Sequence, residues 1–116
     1  FPTRRSSDLG SHHSVCLSNN PKDKRLRVSV WIKTEKASIV IDCGPDFRQQ
    51  MLVSNCQKID AILFTHEHAD HTAGLDDIRP FYFKQGKDIP IFAQKQIQFW
   101  STFFMIKSYL ANSIFI

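Results

Sequence analysis

Residues 66–71 bring together four side chains that commonly bind metal ions. They are His66, His68, Asp70 and His71, and Glu67 stands between the first two. This mixture of nitrogen and oxygen donors suits zinc, with manganese or iron as alternatives, because calcium and magnesium prefer shells made of oxygen alone. The alternative, an ordinary polar loop, leaves the spacing of the four residues unexplained. We therefore predict a metal site at this segment.

The element that must position this motif is the apolar run directly before it. Residues 59–64 read Ile-Asp-Ala-Ile-Leu-Phe, which predicts a buried strand. If the backbone stays extended to His68, alternation of side chains places His66 and His68 on one face, within reach of one cation. Asp70 and His71 follow where the chain turns, and we expect them to face a second cation. A helix is predicted to open over residues 72–79.

Two strands and a helix are predicted before the motif. Apolar and polar residues alternate over residues 26–33, which predicts a half-buried strand, and residues 38–42 predict a more buried one. The turn between these strands is expected at residues 34–36. A helix is predicted after Gly44 and Pro45. Its apolar face would consist of Phe47, Met51 and Leu52.

Prolines mark the predicted elements that follow the motif. Pro80 is expected to end or kink the helix that opens at residue 72. The segment 89–93 predicts a short strand, placed at an edge of the sheet because it contains Pro90. Residues 94–96 are expected to open another helix.

The motif His-x-His-x-Asp-His, preceded by an apolar strand and Thr65 and followed by Gly74, resembles the signature of the metallo-β-lactamase-fold hydrolases. The resemblance implies an α/β (α+β) fold, a sandwich of αββα type. It also implies that His66 and His68 bind one metal and that Asp70 and His71 bind the other.

The resemblance assigns roles to two aspartates as well. Asp70 is expected to be a catalytic carboxylate in addition to a metal ligand. An aspartate at the position of Asp42 would lie beneath the metals as an outer-shell partner, which is a reasonable role because ligating imidazoles need their second nitrogen anchored. Asp42 as a turn residue at the strand end, or as a helix cap, remains open.

Three flanking segments resemble one branch of this family, the phosphoribosyl cyclic phosphate phosphodiesterases. The segments are residues 21–27, 41–50 and 74–79. That branch implies hydrolysis of a small cyclic or nucleotide-like phosphodiester by a hydroxide held between two divalent metals, zinc first among them. The family also contains RNA-processing nucleases, thioesterases and β-lactamases. RNA held by the basic stretch 22–27 is therefore the alternative partner.

Family members take one more histidine for each metal, and a bridging aspartate, from later in the chain. After His71 this sequence contains no further histidine. Residues 10–96 are accordingly expected to form the N-terminal half of the domain, and the chain by itself is expected to be inactive.

Both ends of the chain invite a different interpretation. Residues 1–9 match the translation of a widely used short-read sequencing adaptor, which suggests a non-native tail. Residues 97–116 have no clean amphipathic period, and we interpret them as a doubtful segment that reflects a frameshift or a contig edge.

Composition limits the size of the core, the charge of the substrate and the cellular compartment. The 116 residues are 42% hydrophobic, enough for one modest core, and the net charge of +4 favours anionic substrates. Three widely spaced cysteines suggest no disulfide framework, so a reducing cytoplasm is expected. No segment is predicted to span a membrane.

His13 and Cys16 are an additional candidate pair for a structural metal.

Overall fold

A computed structural model of the chain describes residues 9–94 and 114–115. Within these residues, five strands form one mixed sheet in chain order, joined by short helices. The strands are β1 (Val30–Lys33), β2 (Ser38–Ile41), β3 (Ala61–Leu63), β4 (Ile91–Ala93) and β5 (Ile114–Phe115). The helices are α1 (Ser14–Leu17), α2 (Phe47–Val53), α3 (Ala69–Thr72) and α4 (Arg79–Gln85), with 3₁₀ turns at Pro21–Asp23 and Leu75–Ile78.

The pairing of the strands follows from the lengths of their connections. The turn 34–37 is tight, so β1 and β2 pair antiparallel. β2, β3, β4 and β5 run parallel to one another, and parallel neighbours require long crossovers, here supplied by α2 and by α3 with α4. As a result, β2 and β3 end at the same edge of the sheet, where Ile41 pairs with Leu63. The residues that follow each strand meet there.

The core lies between the sheet and the helices. Val40, Ile62 and Ile91 contribute from the strands, and Phe47 and Ile78 from the helical side, and all five side chains are fully buried. Each such side chain removes enough apolar surface from water to contribute about 1.5–3 kcal/mol. This packing holds β2 and β3 in place, and with them the residues that follow each strand.

The other face of the sheet is also apolar, yet it is partly open. The strand register aligns Ile32 with Ile39 and, further along, Val30 with Ile41 and Leu63. Val30 and Ile32 remain 46% and 42% exposed. The apolar side chains of the first strand were predicted to be half-buried, and they are more exposed than expected. The reason is that the described residues form no complete second layer over this face.

Several predicted boundaries were wrong. β1 begins at Val30 and not at residue 26, because the backbone of Arg27 bonds to the side chains of Asp46 and Gln50 instead of to a neighbouring strand. In α2, Phe47 and Met51 are buried as predicted. Leu52, however, is 63% exposed, because it lies on the solvent side of this helix.

The prolines also act differently from the prediction. Pro80 lies in the first turn of α4 and so begins a helix, where a missing N–H leaves no hydrogen bond unmade. Pro90 stands just before β4, and this strand is internal because β3 and β5 flank it. The helix expected from residue 94 falls outside the described residues, as do residues 1–8 and most of 97–116.

Candidate metal centre

The site lies where β2 and β3 end, and Asp42 is its deepest residue. Asp42 follows β2 directly, its backbone φ is +61°, and it is 3% exposed. A positive φ is unfavourable for most residues but tolerable for aspartate and asparagine. This conformation redirects the chain after β2, and the Asp42 carboxylate reaches the loop that follows β3.

The Asp42 carboxylate organises two histidines, His71 directly and His66 through Thr65. The Thr65 backbone N–H donates to Asp42 Oδ1 at 2.8 Å, and the Thr65 hydroxyl donates to Oδ2 at 2.7 Å. His71 Nδ1 lies 2.7 Å from the same Oδ2, and His66 Nδ1 lies 2.8 Å from the Thr65 hydroxyl oxygen.

These contacts fix the tautomers of both rings. An ionised carboxylate only accepts hydrogen bonds, so His71 Nδ1 must carry the proton that it shares with Asp42. Because the Thr65 hydroxyl proton is directed at Asp42, its oxygen accepts from His66 Nδ1. In a neutral imidazole whose Nδ1 carries the proton, the lone pair is on Nε2, which is then the atom available to a metal.

The remaining motif residues lie on the more exposed side of the same cluster. The His66 ring centroid is 4.6 Å from that of His68 and 4.0 Å from that of His71. Asp70 Oδ2 lies 3.5 Å from His71 Nε2, and the Asp70 side chain is 57% exposed. All four predicted ligands are thus neighbours at one end of the sheet.

The loop that carries the ligands turns into a helix earlier than predicted. The His68 carbonyl accepts from the His71 N–H at 2.9 Å and from the Thr72 hydroxyl at 3.2 Å. α3 consequently begins at Ala69, three residues before the expected start, and Asp70 and His71 lie in its first turn. The strand before the motif, β3, ends at Leu63, so the condition that the strand continue to His68 is not met.

Backbone contacts hold this loop against the loop after β2. The Cys43 N–H donates to the His71 carbonyl at 2.7 Å, and the Gly74 N–H donates to the Cys43 carbonyl at 2.9 Å. A Cβ added at Gly44 would overlap the Asp70 carbonyl oxygen, and one at Gly74 would overlap the Gly44 carbonyl oxygen. The two loops are therefore packed backbone to backbone, which explains the need for both glycines.

Cys43 lies in this packed layer and is fully buried. Burial raises the pKa of its thiol well above the ordinary value, and the nearby carboxylates of Asp77 and Asp42 raise it further. The thiol is therefore protonated at neutral pH. As a buried, protonated thiol, Cys43 contributes to the packed layer that supports the site.

The donor set fits divalent metal ions. Ligand atoms of Asp42, His66 and His71 lie within 4.8 Å of one another, which makes these three a possible metal-binding group. The oxygens of Asp42, however, already accept three hydrogen bonds. Asp42 thus makes the contacts expected of an outer-shell partner. Among the described residues, no hydrogen bond engages His66 Nε2, and His71 Nε2 pairs with Asp70 Oδ2 at 3.5 Å.

An ion pair next to the site was not predicted from sequence. The Arg27 guanidinium binds both oxygens of Asp46, with Nε to Oδ2 and Nη2 to Oδ1 each at 2.9 Å. Hydrogen bonding to Arg27 lowers the pKa of Asp46. These residues are 19 apart in sequence, so no local pattern reveals the pair.

The role of Thr65 as the link between Asp42 and His66 was also not predicted, although its place before His66 was noted.

The second candidate metal site is not assembled by the described residues. The His13 side chain accepts a hydrogen bond from the Val15 N–H and so caps α1. Cys16 is half-buried in that short helix. No third ligand-type residue of the described ranges joins these two.

No helix in the described ranges has the length and apolar character needed to cross a membrane.

Comparison with known proteins adds a family and a fold. Residues 37–101 match the family described as the beta-lactamase superfamily domain. A structure titled a new diphosphatase from the PhnP family superposes with a TM-score of 0.85 at 35% identity, covering 97% of this chain and 46% of that chain. Zn(2+)-bound PqqB from Methylobacterium extorquens has a TM-score of 0.70 at 21% identity and covers 93% and 43%, which shows a shared fold alone.

Curated relatives match smaller parts of longer proteins. The octanoyltransferase of Porphyromonas gingivalis is 42% identical over 91 residues, which are 78% of this chain and 18% of that protein. Ribonuclease Z of Clostridioides difficile is 39% identical over 62 residues, which are 52% of this chain and 20% of that protein. The chain thus spans about a fifth of the length of these relatives. The predicted α/β fold of metallo-β-lactamase type is confirmed.

Proposed function

This chain belongs to the metallo-β-lactamase superfamily, and on that basis we propose that the intact protein is a two-metal phosphodiesterase. The observation that carries the proposal is the network in which Asp42 and Thr65 anchor the Nδ1 atoms of His71 and His66. Anchoring at Nδ1 leaves Nε2 of each ring for a metal ion, and the two ring centroids lie only 4.0 Å apart.

We assign His66 and His68 to one metal and Asp70 and His71 to the other, with Asp42 as outer-shell partner. The cations, zinc first and manganese or iron as alternatives, would supply Lewis acidity and a water of lowered pKa. Asp70 and His71 suit a shared ion because Asp70 Oδ2 lies only 3.5 Å from His71 Nε2. Asp70 is also the proposed catalytic carboxylate, and its exposure leaves it accessible to substrate.

A small cyclic or nucleotide-like phosphodiester is the proposed substrate. The 35% identity to a chain whose title names a diphosphatase supports phosphorus–oxygen chemistry. The net charge of +4 is compatible with an anionic substrate. Since the chain spans 46% of that diphosphatase chain, the remaining ligands are proposed to come from outside these 116 residues. Residues 10–96 would then be one half of the domain.

The test is a comparison of substrate classes with the intact protein. Zinc- or manganese-loaded protein is assayed on a cyclic phosphodiester, a β-lactam and a thioester, and the phosphodiester is expected to be the preferred substrate. His68→Ala is expected to abolish turnover, while His12→Ala serves as a matched control because His12 is exposed and outside the motif. Preference for the β-lactam or the thioester would refute the proposal.

RNA processing is the second candidate because several relatives are named ribonuclease Z. The basic residues of the stretch 22–27 are exposed and would contact phosphates. Binding of a single-stranded RNA through two or three such contacts should weaken with salt, at a log–log slope of about −0.7 per contact. Affinity that does not change with salt would leave the small-molecule reaction as the better assignment.

A further inference from the structure

Arg27 is held in one orientation next to the candidate metal centre. Two donors of its guanidinium bind the Asp46 carboxylate, and its backbone N–H donates to Asp46 Oδ2 at 2.8 Å. The Arg27 carbonyl accepts from Gln50 Nε2 at 2.6 Å. Main chain and side chain of Arg27 are therefore both fixed. The Arg27 side chain is nevertheless 44% exposed.

Part of the Arg27 guanidinium is not engaged by Asp46. An arginine presents five N–H groups, and Nε and one hydrogen of Nη2 satisfy Asp46. No described residue accepts from Nη1. The opposite edge of the guanidinium is thus open to solvent and able to bind an anion in the forked manner that suits phosphate oxygens.

The position of Arg27 relative to the site follows from two observations. Asp46 ends the loop whose Gly44 packs against the Asp70 carbonyl. The charge of Asp70 also contributes, after the hydrogen bond and the charge of Asp46, to the raised pKa of Arg27. Arg27 is therefore within electrostatic reach of Asp70, a proposed metal ligand whose side chain is 57% exposed.

We propose that Arg27 is a substrate-recognition residue, whose free guanidinium edge binds a non-bridging oxygen of the substrate phosphate group. The inference rests on the proposed phosphodiesterase function and adds a specificity residue from outside the metal motif. The Asp46 carboxylate pre-positions the guanidinium, so less side-chain entropy is lost when substrate binds. Because the interaction concerns recognition, removing it should act mainly on substrate binding.

The test uses the intact protein loaded with zinc and compares Arg27→Met with Arg48→Met. Arg48 is a suitable control because it is an exposed arginine of α2 that makes no hydrogen bond or ion pair with a described residue. Arg27→Met should raise KM and the inhibition constant of inorganic phosphate about 10- to 100-fold, with a smaller change in kcat. Metal content should stay unchanged, and Arg48→Met should match the wild type.

A purely structural role for Arg27 predicts a different pattern. In that case Arg27→Met would lose metal and kcat together and leave KM unchanged, which would overturn the proposal. Arg27→Lys guards against simple misfolding, because lysine keeps the charge but not the forked geometry. We expect it to fold, to retain its metals and to raise KM several-fold, and a wild-type KM in this variant would also count against the proposal.

Binding of inorganic phosphate to the zinc-loaded protein separates this inference from the proposed function, because it needs no turnover. If the wild type hydrolyses no phosphodiester but Arg27→Met still weakens phosphate binding, the phosphodiesterase assignment fails and the anion contact stands. If the wild type is active and Arg27→Met binds phosphate with unchanged affinity, only the role of Arg27 is refuted.

Discussion

Thr65 donates both its backbone N–H and its hydroxyl to the two oxygens of the Asp42 carboxylate, at 2.8 and 2.7 Å. The hydroxyl thereby becomes an acceptor for His66 Nδ1, while His71 binds the same carboxylate directly. One buried charge thus orients two imidazoles. This sharing makes Asp42 the residue whose replacement should affect both proposed metals together.

Asp42→Asn in the intact protein should lower zinc affinity about 10- to 100-fold. The amide NH₂ cannot accept from His71 or from the Thr65 hydroxyl, so the tautomers of both histidines lose their support. Asparagine tolerates the positive φ of this position, which keeps the backbone unchanged. Zinc affinity is measured by competition with a chelator, and Asp60→Asn is the control. Wild-type affinity in Asp42→Asn would contradict the anchoring role.

Gly44→Ala and Gly74→Ala should each destabilise the fold by more than about 3 kcal/mol, because the added Cβ overlaps a backbone oxygen that cannot move away. Gly86→Ala is the comparison, since Gly86 has φ +66° but open space around it. Its strain should cost only about 1 kcal/mol. Urea unfolding of the three variants measures the difference, and equal effects would contradict the proposed close packing of the two loops.

Alkylation should distinguish the three cysteines. Burial raises the pKa of both Cys43 and Cys56, so their thiols stay protonated and inaccessible at pH 8. Cys16 is only half-buried and should react with iodoacetamide first. Cys43 should react at least about 100-fold more slowly in the absence of denaturant, because modification requires opening of the structure. Mass spectrometry of digests gives the rates, and rapid labelling of Cys43 would argue against its burial.

The Arg27–Asp46 pair should contribute stability that depends on pH. Hydrogen bonding to Arg27 lowers the pKa of Asp46, so the contribution is fully present above the unfolded-state pKa of about 3.9. It is lost as the pH falls through the lower pKa of the folded state. Asp46→Asn should therefore cost the most stability at pH 6, and progressively less as the pH falls below about 3.9. Glu35→Gln is the control, because Glu35 is exposed in the hairpin turn and forms no ion pair with a described residue.

The 116-residue chain expressed alone should bind fewer than two metals and hydrolyse no phosphodiester. Each proposed metal has two ligands in this chain, whereas catalytic zinc sites usually have three from the protein. The open apolar face with Val30 and Ile32 should also cause association. Elemental analysis after gel filtration measures metal content and size. A monomer with two metals and activity would disprove the half-site proposal.

Local patterns predicted the parts of this molecule that depend on neighbours in sequence. The apolar run before the motif indicated the buried strand of Ile62, and the spacing of His66 to His71 indicated a cluster. The prediction that Pro80 ends a helix was wrong because proline fits a first turn as readily as it breaks an interior, and sequence alone did not decide between them.

Contacts between distant segments were much harder to predict. The bonds of Arg27 to Asp46 and of Thr65 to Asp42 depend on the sheet that brings the segments together. Arginine, aspartate and threonine have many possible partners, so their types alone do not select one. β4 is an internal strand and not an edge strand because it pairs with β5, and no local pattern near Pro90 indicates that neighbour.

The bonds from Asp42 to Thr65 and His71 also make metal binding a reporter of strand alignment during folding. Asp42 follows β2 by one residue, and Thr65 lies two residues beyond β3, so their meeting requires Ile41 to pair opposite Leu63. A shift of one residue would turn every side chain of one strand to the opposite face. A misaligned chain would then lack the anchored Nε2 pair. Zinc added during refolding should therefore select molecules in the native alignment and increase their yield.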